Sequence, residues 1–129
     1  MAERMKERRA CERFVIPGAV VNYRLEGFLR SGKYREESFP IFDISRGGLR
    51  FVSDILLKAD VKLTVRVTIP GGDNPLILHG KVRWVDVHPG KSYKYQIGVQ
   101  FAPYGKNKGE NDSEALRQII ALEAEASKK

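Results

Sequence analysis

Residues 61–69 alternate without a break: Val61, Leu63, Val65, Val67 and Ile69 are apolar, and Lys62, Thr64, Arg66 and Thr68 between them are polar. Side chains alternate faces along a strand, so this period of two predicts a strand in a sheet that is wet on one side. The Pro70-Gly71-Gly72-Asp73-Asn74-Pro75 run that follows is a turn. Less regular β-rich stretches cover residues 19–25, 38–44, 49–52, 76–87 (bent at Gly80) and 93–101. Pro17-Gly18 punctuates the chain before the first of them, and residues 27–37 form a polar hairpin region or loop. In the second stretch Phe39 and Ile41 are out of phase with Phe42 and Ile44, and Pro40 cannot donate to a ladder, so an edge or a bulge is expected there. Short strands joined by turn-rich connections predict a mainly all-β fold, a small antiparallel barrel whose closure removes sheet edges.

The pattern changes after residue 105. Residues 106–111 are a polar linker, and residues 112–126 carry helical spacing. Asp112 or Ser113 suits the N-cap, Glu114 the first turn, and Lys128-Lys129 the far end. Leu116, Ile119 and Ile120, flanked by Ala115 and Leu122, make a narrow apolar stripe that packs either on the barrel or on another chain. The chain thus divides into a basic arm (1–13), a barrel (14–105) and a C-terminal helix (112–126), with no internal repeat or low-complexity segment.

Composition narrows the partners. The 129 residues are 42% hydrophobic, enough for one globular core, and carry a formal charge of +7. Residues 1–13 hold five basic and three acidic residues, 14–105 thirteen and eight, and 106–129 five of each. The excess therefore falls on the arm and the barrel, which favours an anionic ligand there. Cys11 is the one cysteine, so an intrachain disulfide is excluded and a reducing compartment is expected. Residues 1–10 are charged and lack the apolar core of a secretory signal, and no run approaches the ~20 apolar residues of a membrane span. A cytoplasmic protein without membrane insertion, a monomer or weak homodimer, is the expectation.

Two fragments carry candidate chemistry. Arg8-Arg9-Ala10-Cys11-Glu12-Arg13 contains RxxxR (Arg9, Arg13) with an extra arginine before it, and Asp43-Ile44-Ser45-Arg46-Gly47-Gly48 contains DxSxxG (Asp43, Ser45, Gly48). Guanidinium forks bind phosphate, or O6 and N7 of guanine, through paired hydrogen bonds, and stack on bases. An ionised carboxylate accepts only, matching the N1–H and N2–H donors of guanine, while a serine hydroxyl donates or accepts. Asp43 and Ser45, two apart on a strand, project together, and Gly47 and Gly48 can take positive φ and leave room for a ligand. Each fragment has a plainer reading: a solvated charge run, and a hairpin turn whose Asp and Ser bond nearby backbone.

Together the fragments resemble the signature of the PilZ domain family, whose members bind the bacterial second messenger cyclic di-GMP. The resemblance extends to Gly80-Lys81-Val82-Arg83-Trp84 and Gly98-Val99-Gln100-Phe101, which look like the family's late barrel strands, and so runs from about Arg8 to Phe101. It implies a six-stranded barrel and a cyclic di-GMP site built from Arg8, Arg9, Arg13, Asp43, Ser45, Gly48 and Trp84. For Trp84, core packing and a place beside the nucleotide both remain open. A basic residue before RxxxR accompanies a stacked pair of ligands in the family, which for Arg8 implies two per chain. The resemblance implies a bacterial receptor or adaptor that relays the signal to a downstream protein.

Catalysis is not expected. His79 and His88 have no Cys, Asp or Glu at metal-ligand spacing, Ser45 lies in no G-x-S-x-G elbow, and there is no P-loop or dinucleotide-binding fingerprint. No cofactor or metal is implied. The alternatives are a basic barrel that binds RNA or single-stranded DNA, and a ligand-free PilZ-like interaction module. Asp43 at the centre of the site argues against nucleic acid, because it would repel a phosphate backbone yet suits a guanine edge.

Overall fold

The computed structural model describes residues 12–26, 37–72, 74–87 and 93–127. Six antiparallel strands close a barrel: β1 (Val20–Leu25), β2 (Phe39–Ser45), β3 (Gly48–Ser53), β4 (Lys62–Thr68), β5 (Leu76–Val87) and β6 (Tyr95–Phe101). Their order around the barrel is β1-β2-β3-β6-β5-β4, and a helix α1 (Ser113–Ser127) follows. The expected barrel and C-terminal helix are both present. Leu63, Val65 and Val67 of the alternating strand are fully buried, as its period requires. They join Tyr23, Phe39 and Phe51, whose ring centroids stand 6.0–6.1 Å apart at the centre of the core.

Two register shifts shape the barrel. The first lies in β2 between Ile41 and Asp43. It lets both Phe39 and Ile44 point inward despite their odd spacing, and it throws Phe42 outward, 50% exposed. Pro40 is accommodated because β1 and β2 share only the pairs Val20↔Pro40 and Val21↔Phe39. The second shift lies in β5 between Val82 and Trp84, making Arg83 the extra residue. The bend expected at Gly80 is therefore displaced: Gly80 stays in register opposite Leu63 and Phe101.

Because β1 leaves β2 so early, the far half of β2 has a free edge, and residues 12–16 occupy it. Phe14 N–H donates to Ile44 O at 2.8 Å and Ile44 N–H returns to Phe14 O at 2.9 Å. The chain then reverses through Pro17-Gly18, where Gly18 takes φ +77° and Ala19 N–H donates to Ile16 O at 3.1 Å. A proline followed by a left-handed glycine suits a type II turn.

Asp112 caps α1 by accepting from Glu114 N–H at 2.9 Å. Ala115 and Ile119 are buried in the core, Leu116 and Leu122 are half-buried, and Ile120 is 38% exposed, so the buried stripe is rotated slightly from the one the spacing suggested. Residues 106–111 are more than a polar linker. The buried Asn111 donates through Nδ2 to His79 O and Ala102 O, each at 3.0 Å, and accepts from His79 N–H at 2.7 Å. That side chain stitches the connection to β5 and to the end of β6, and the Asn111 backbone adds a bond to Pro103 O at 2.8 Å.

Candidate functional site

The β2–β3 connection is a two-residue hairpin around Arg46 and Gly47, with Ser45 opposite Gly48, Ile44 opposite Leu49 and Asp43 opposite Arg50. Arg50 therefore faces Asp43, a partnership that counting back from the turn would have revealed. Arg50 Nε lies 2.9 and 3.1 Å from the two carboxylate oxygens, and Nη2 closes the fork on Oδ2. Hydrogen bonding to Asp43 raises the Arg50 guanidinium above its ordinary range, against an opposing desolvation. The same guanidinium rests 4.7 Å from the centroid of the bulge residue Phe42.

Asp43 has a second cation. Arg13, placed by the Phe14–Ile44 bridge, donates from Nη1 to Asp43 Oδ1 at 3.1 Å. With two guanidiniums over it, the Asp43 side chain is only 8% exposed, whereas Arg13 is 46% exposed. Asp43 is thus held behind Arg13 at the edge of the site, not open at its centre. Ser45 follows the plainer reading in part, since Gly47 N–H donates to its hydroxyl at 3.2 Å and the hydroxyl reaches Gly48 O at 3.4 Å.

Gly48 does not take the positive φ expected of it. The left-handed glycines among the described residues are Gly18, Gly71 and Gly109; Gly47 and Gly48 are not left-handed. A Cβ on Gly48 would stand 2.1 Å from Val99 O, so the glycine lets β3 and β6 approach. Gly98 does the same for a side chain: its missing Cβ leaves the Trp84 indole against the backbone, 2.3 Å from where that Cβ would be. Trp84 is half-buried and lies across the outer face of β6, which removes it from the core.

These parts surround one cleft of about 460 Å³, walled by Arg13, Ser45, Gly48, Arg83, Trp84 and Gln100. It brings together residues from the start, middle and end of the chain. Arg83 and Gln100 are additions that the motifs did not indicate; Arg83 reaches the cleft through the β5 bulge, which leaves no mark in the residue pattern. Arg8 and Arg9, like Cys11 and His88, lie outside the described residues. The hairpin is braced from behind, where Arg46 forks onto Glu123 of α1 at 3.0 and 3.5 Å and Tyr104 donates to Arg46 O at 2.6 Å.

Among the described residues no group of three His, Cys, Asp or Glu could hold a metal ion, and no helix is long and apolar enough to cross a membrane.

The class of protein to which this barrel belongs is the PilZ domain. The PilZ domain family model matches residues 7–121, and the chain belongs to that family. Among solved structures it is similar to the Bacillus subtilis inhibitor of motility, MotI/DgrA, with a TM-score of 0.64 and 17% identity. That match covers 95% of this chain and 53% of the other, so the chain spans about half the length of the protein it resembles. A search of curated proteins finds no match by sequence. PilZ domains are in general cyclic di-GMP receptors or adaptors, binding modules and not a catalytic family.

Proposed function

We propose that this protein is a bacterial, cytoplasmic receptor that binds cyclic di-GMP in the Trp84 cleft and relays the signal to a downstream protein. The observation that carries the reading is the convergence of Arg13, Ser45, Arg83 and Trp84 on one cleft beside the doubly paired Asp43. Trp84 offers an indole edge and face for stacking, and Arg13 and Arg83 supply cations for the phosphodiesters. Asp43 supplies an acceptor for a guanine edge once Arg13 turns to the ligand. Arg50 then remains on Asp43, so its carboxylate keeps one cation throughout. In this reading Arg8 and Arg9, which lie outside the described residues, add their guanidinium groups to the grip.

Calorimetric titration of the purified protein with cyclic di-GMP tests this directly. Micromolar or tighter binding is expected, on the order of 8 kcal/mol or more. No heat with cyclic di-GMP, and tight binding to mixed-sequence RNA, would replace the reading with the nucleic-acid one. The same titration checks stoichiometry: two ligands per chain in the wild type and one in Arg8→Leu are expected, and an equal ratio in both variants removes the role given to Arg8.

The relay follows from where the grip is applied. A ligand held by residues 8–13 on one side and by β2, β3 and β5 on the other fixes the arm against the barrel. Fixing costs roughly 1–2 kcal/mol per residue, which confines the ordering to a few residues around RxxxR. The covered face and the arm together form the surface a partner reads. Trypsin gives the expected signature: cleavage after Arg9 and Arg13 slows with saturating cyclic di-GMP, while cleavage after Lys106 and Lys108 is unchanged. Equal cleavage of the arm with and without ligand means the signal leaves by another surface.

A further inference from the structure

Sharing Gln100 with the Trp84 cleft is a larger groove, about 690 Å³, lined by three lysines (Lys62, Lys81 and Lys108), two carboxylates (Glu26 and Glu110) and His79, Phe101 and Pro103. Its cations are arranged against the ordinary logic of a sheet. Lys62 and Lys81 are direct partners across β4 and β5, where like charges repel. Lys108 is added from the 107–110 turn, which is held by Glu110 N–H to Asn107 O at 3.0 Å and Asn107 N–H to the Glu110 carboxylate at 2.9 Å. None of the three ammonium groups has an ion-pair partner among the described residues.

The carboxylates nearby are already engaged. Glu110 is bound to its own turn, and Glu26 accepts from the Thr64 hydroxyl. His79 Nδ1 lies 3.0 Å from Thr64 Oγ1 and 3.4 Å from Glu26 Oε2. Nδ1 is thus occupied by Thr64 and Glu26, and the ring nitrogen without a hydrogen bond among the described residues is Nε2. Asn111, locked to His79 and Ala102, makes this wall rigid. The groove is therefore braced by hydrogen bonds and carries three lysines against two carboxylates that are already hydrogen-bonded, which leaves the lysine donors uncommitted.

We infer that this groove is a second anion site, separate from the Trp84 cleft, which takes a phosphate group between Lys62, Lys81 and Lys108. The three ammonium groups neutralise the anion, and His79 Nε2 offers one further hydrogen-bonding atom. The apolar floor of Phe101 and Pro103 leaves space for the remainder of a phosphomonoester. Gly48, Gln100, Lys81 and Lys62 stand side by side on successive strands, so the row from the Trp84 cleft to Lys62 spans three strand spacings, about 14 Å.

Thermal melts of the full chain in sodium phosphate, against sodium chloride of equal ionic strength, test the assignment. At ten times the dissociation constant, phosphate should raise the wild-type Tm by about 4–6 °C. In chloride, Lys62→Met and Lys81→Met should each melt above the wild type, because a repulsion is removed and the apolar stem is kept. Both should lose the phosphate response, and Arg13→Ala should retain it. Guanosine 5′-monophosphate in place of inorganic phosphate should stabilise as well, and guanosine should not. A phosphate response that survives both lysine variants, or one that disappears with Arg13→Ala, overturns the second site. So does stabilisation by guanosine alone. Failure of cyclic di-GMP to bind in the calorimeter leaves every one of these outcomes readable.

Discussion

Arg13→Ala should weaken cyclic di-GMP binding by about 2–5 kcal/mol, at least thirtyfold in dissociation constant, while barely changing the stability of the unliganded barrel. The asymmetry follows from its two states. Without ligand, Arg13 makes one hydrogen bond to Asp43 at 3.1 Å from a side chain that is 46% exposed, and a pair so exposed contributes at most about 1 kcal/mol. Asp43 also loses little by its removal, since Arg50 still holds both carboxylate oxygens. With ligand, the guanidinium would face a phosphodiester or a guanine in a partly closed cleft, where losing the partner of a charge is far more costly. Calorimetry on the variant measures the first quantity and urea unfolding the second. A loss of stability as large as the loss of affinity would mean that Arg13 is a structural brace and not a ligand contact.

Arg50 gives the complementary case. Arg50→Met keeps a stem against Phe42 but leaves Asp43 with Arg13 as its remaining cation, so Arg13 would have to leave Asp43 uncompensated in order to reach a ligand. Affinity for cyclic di-GMP should fall, and its margin over cyclic di-AMP should narrow as Asp43 loses its fixed orientation. A titration of both ligands into this variant separates the positioning role from a packing role, which would leave the ratio of the two affinities unchanged.

What could be read from residue order alone was whatever depends on period and on short-range spacing. The alternation at residues 61–69 gave the buried triplet Leu63, Val65 and Val67, and turn residues between β-rich runs gave the closed barrel. The two-residue hairpin at Arg46 and Gly47 also carried more than was taken from it, because pairing Ser45 with Gly48 puts Asp43 opposite Arg50. Bulges are another matter. The extra residue at Phe42 is signalled only by the clash between the phases of Phe39 and Ile44, and the one at Arg83 by nothing local. Those bulges decide that Phe42 supports Arg50 and that Arg83 lines the cleft. The buried role of Asn111 was hidden for a related reason: its partners, His79 and Ala102, come from elsewhere in the chain, and a polar stretch looks the same whether or not it is pinned.

The two glycines beside the cleft should respond to the same substitution in opposite ways. Gly48→Ala puts a methyl 2.1 Å from the backbone oxygen of Val99, and neither atom can move without parting β3 from β6. Overpacking against backbone in a paired ladder should cost about 3 kcal/mol or more, lowering Tm by roughly 10 °C in a chain of this size. Gly98→Ala meets the Trp84 indole at 2.3 Å, and a side chain can swing where a strand cannot. Its cost should stay near 1–2 kcal/mol, but the indole must leave the face of β6 and the cleft must lose that wall. Trp84 is the one tryptophan in the chain, so a single fluorescence signal reports both events. Gly48→Ala should shift the unfolding midpoint with native emission unchanged, whereas Gly98→Ala should alter native emission and weaken cyclic di-GMP binding with a modest change in midpoint. Equal midpoint shifts in the two variants would show that Trp84 is held as rigidly as the strands themselves and belongs to the barrel's packing instead of to a wall that a ligand can adjust.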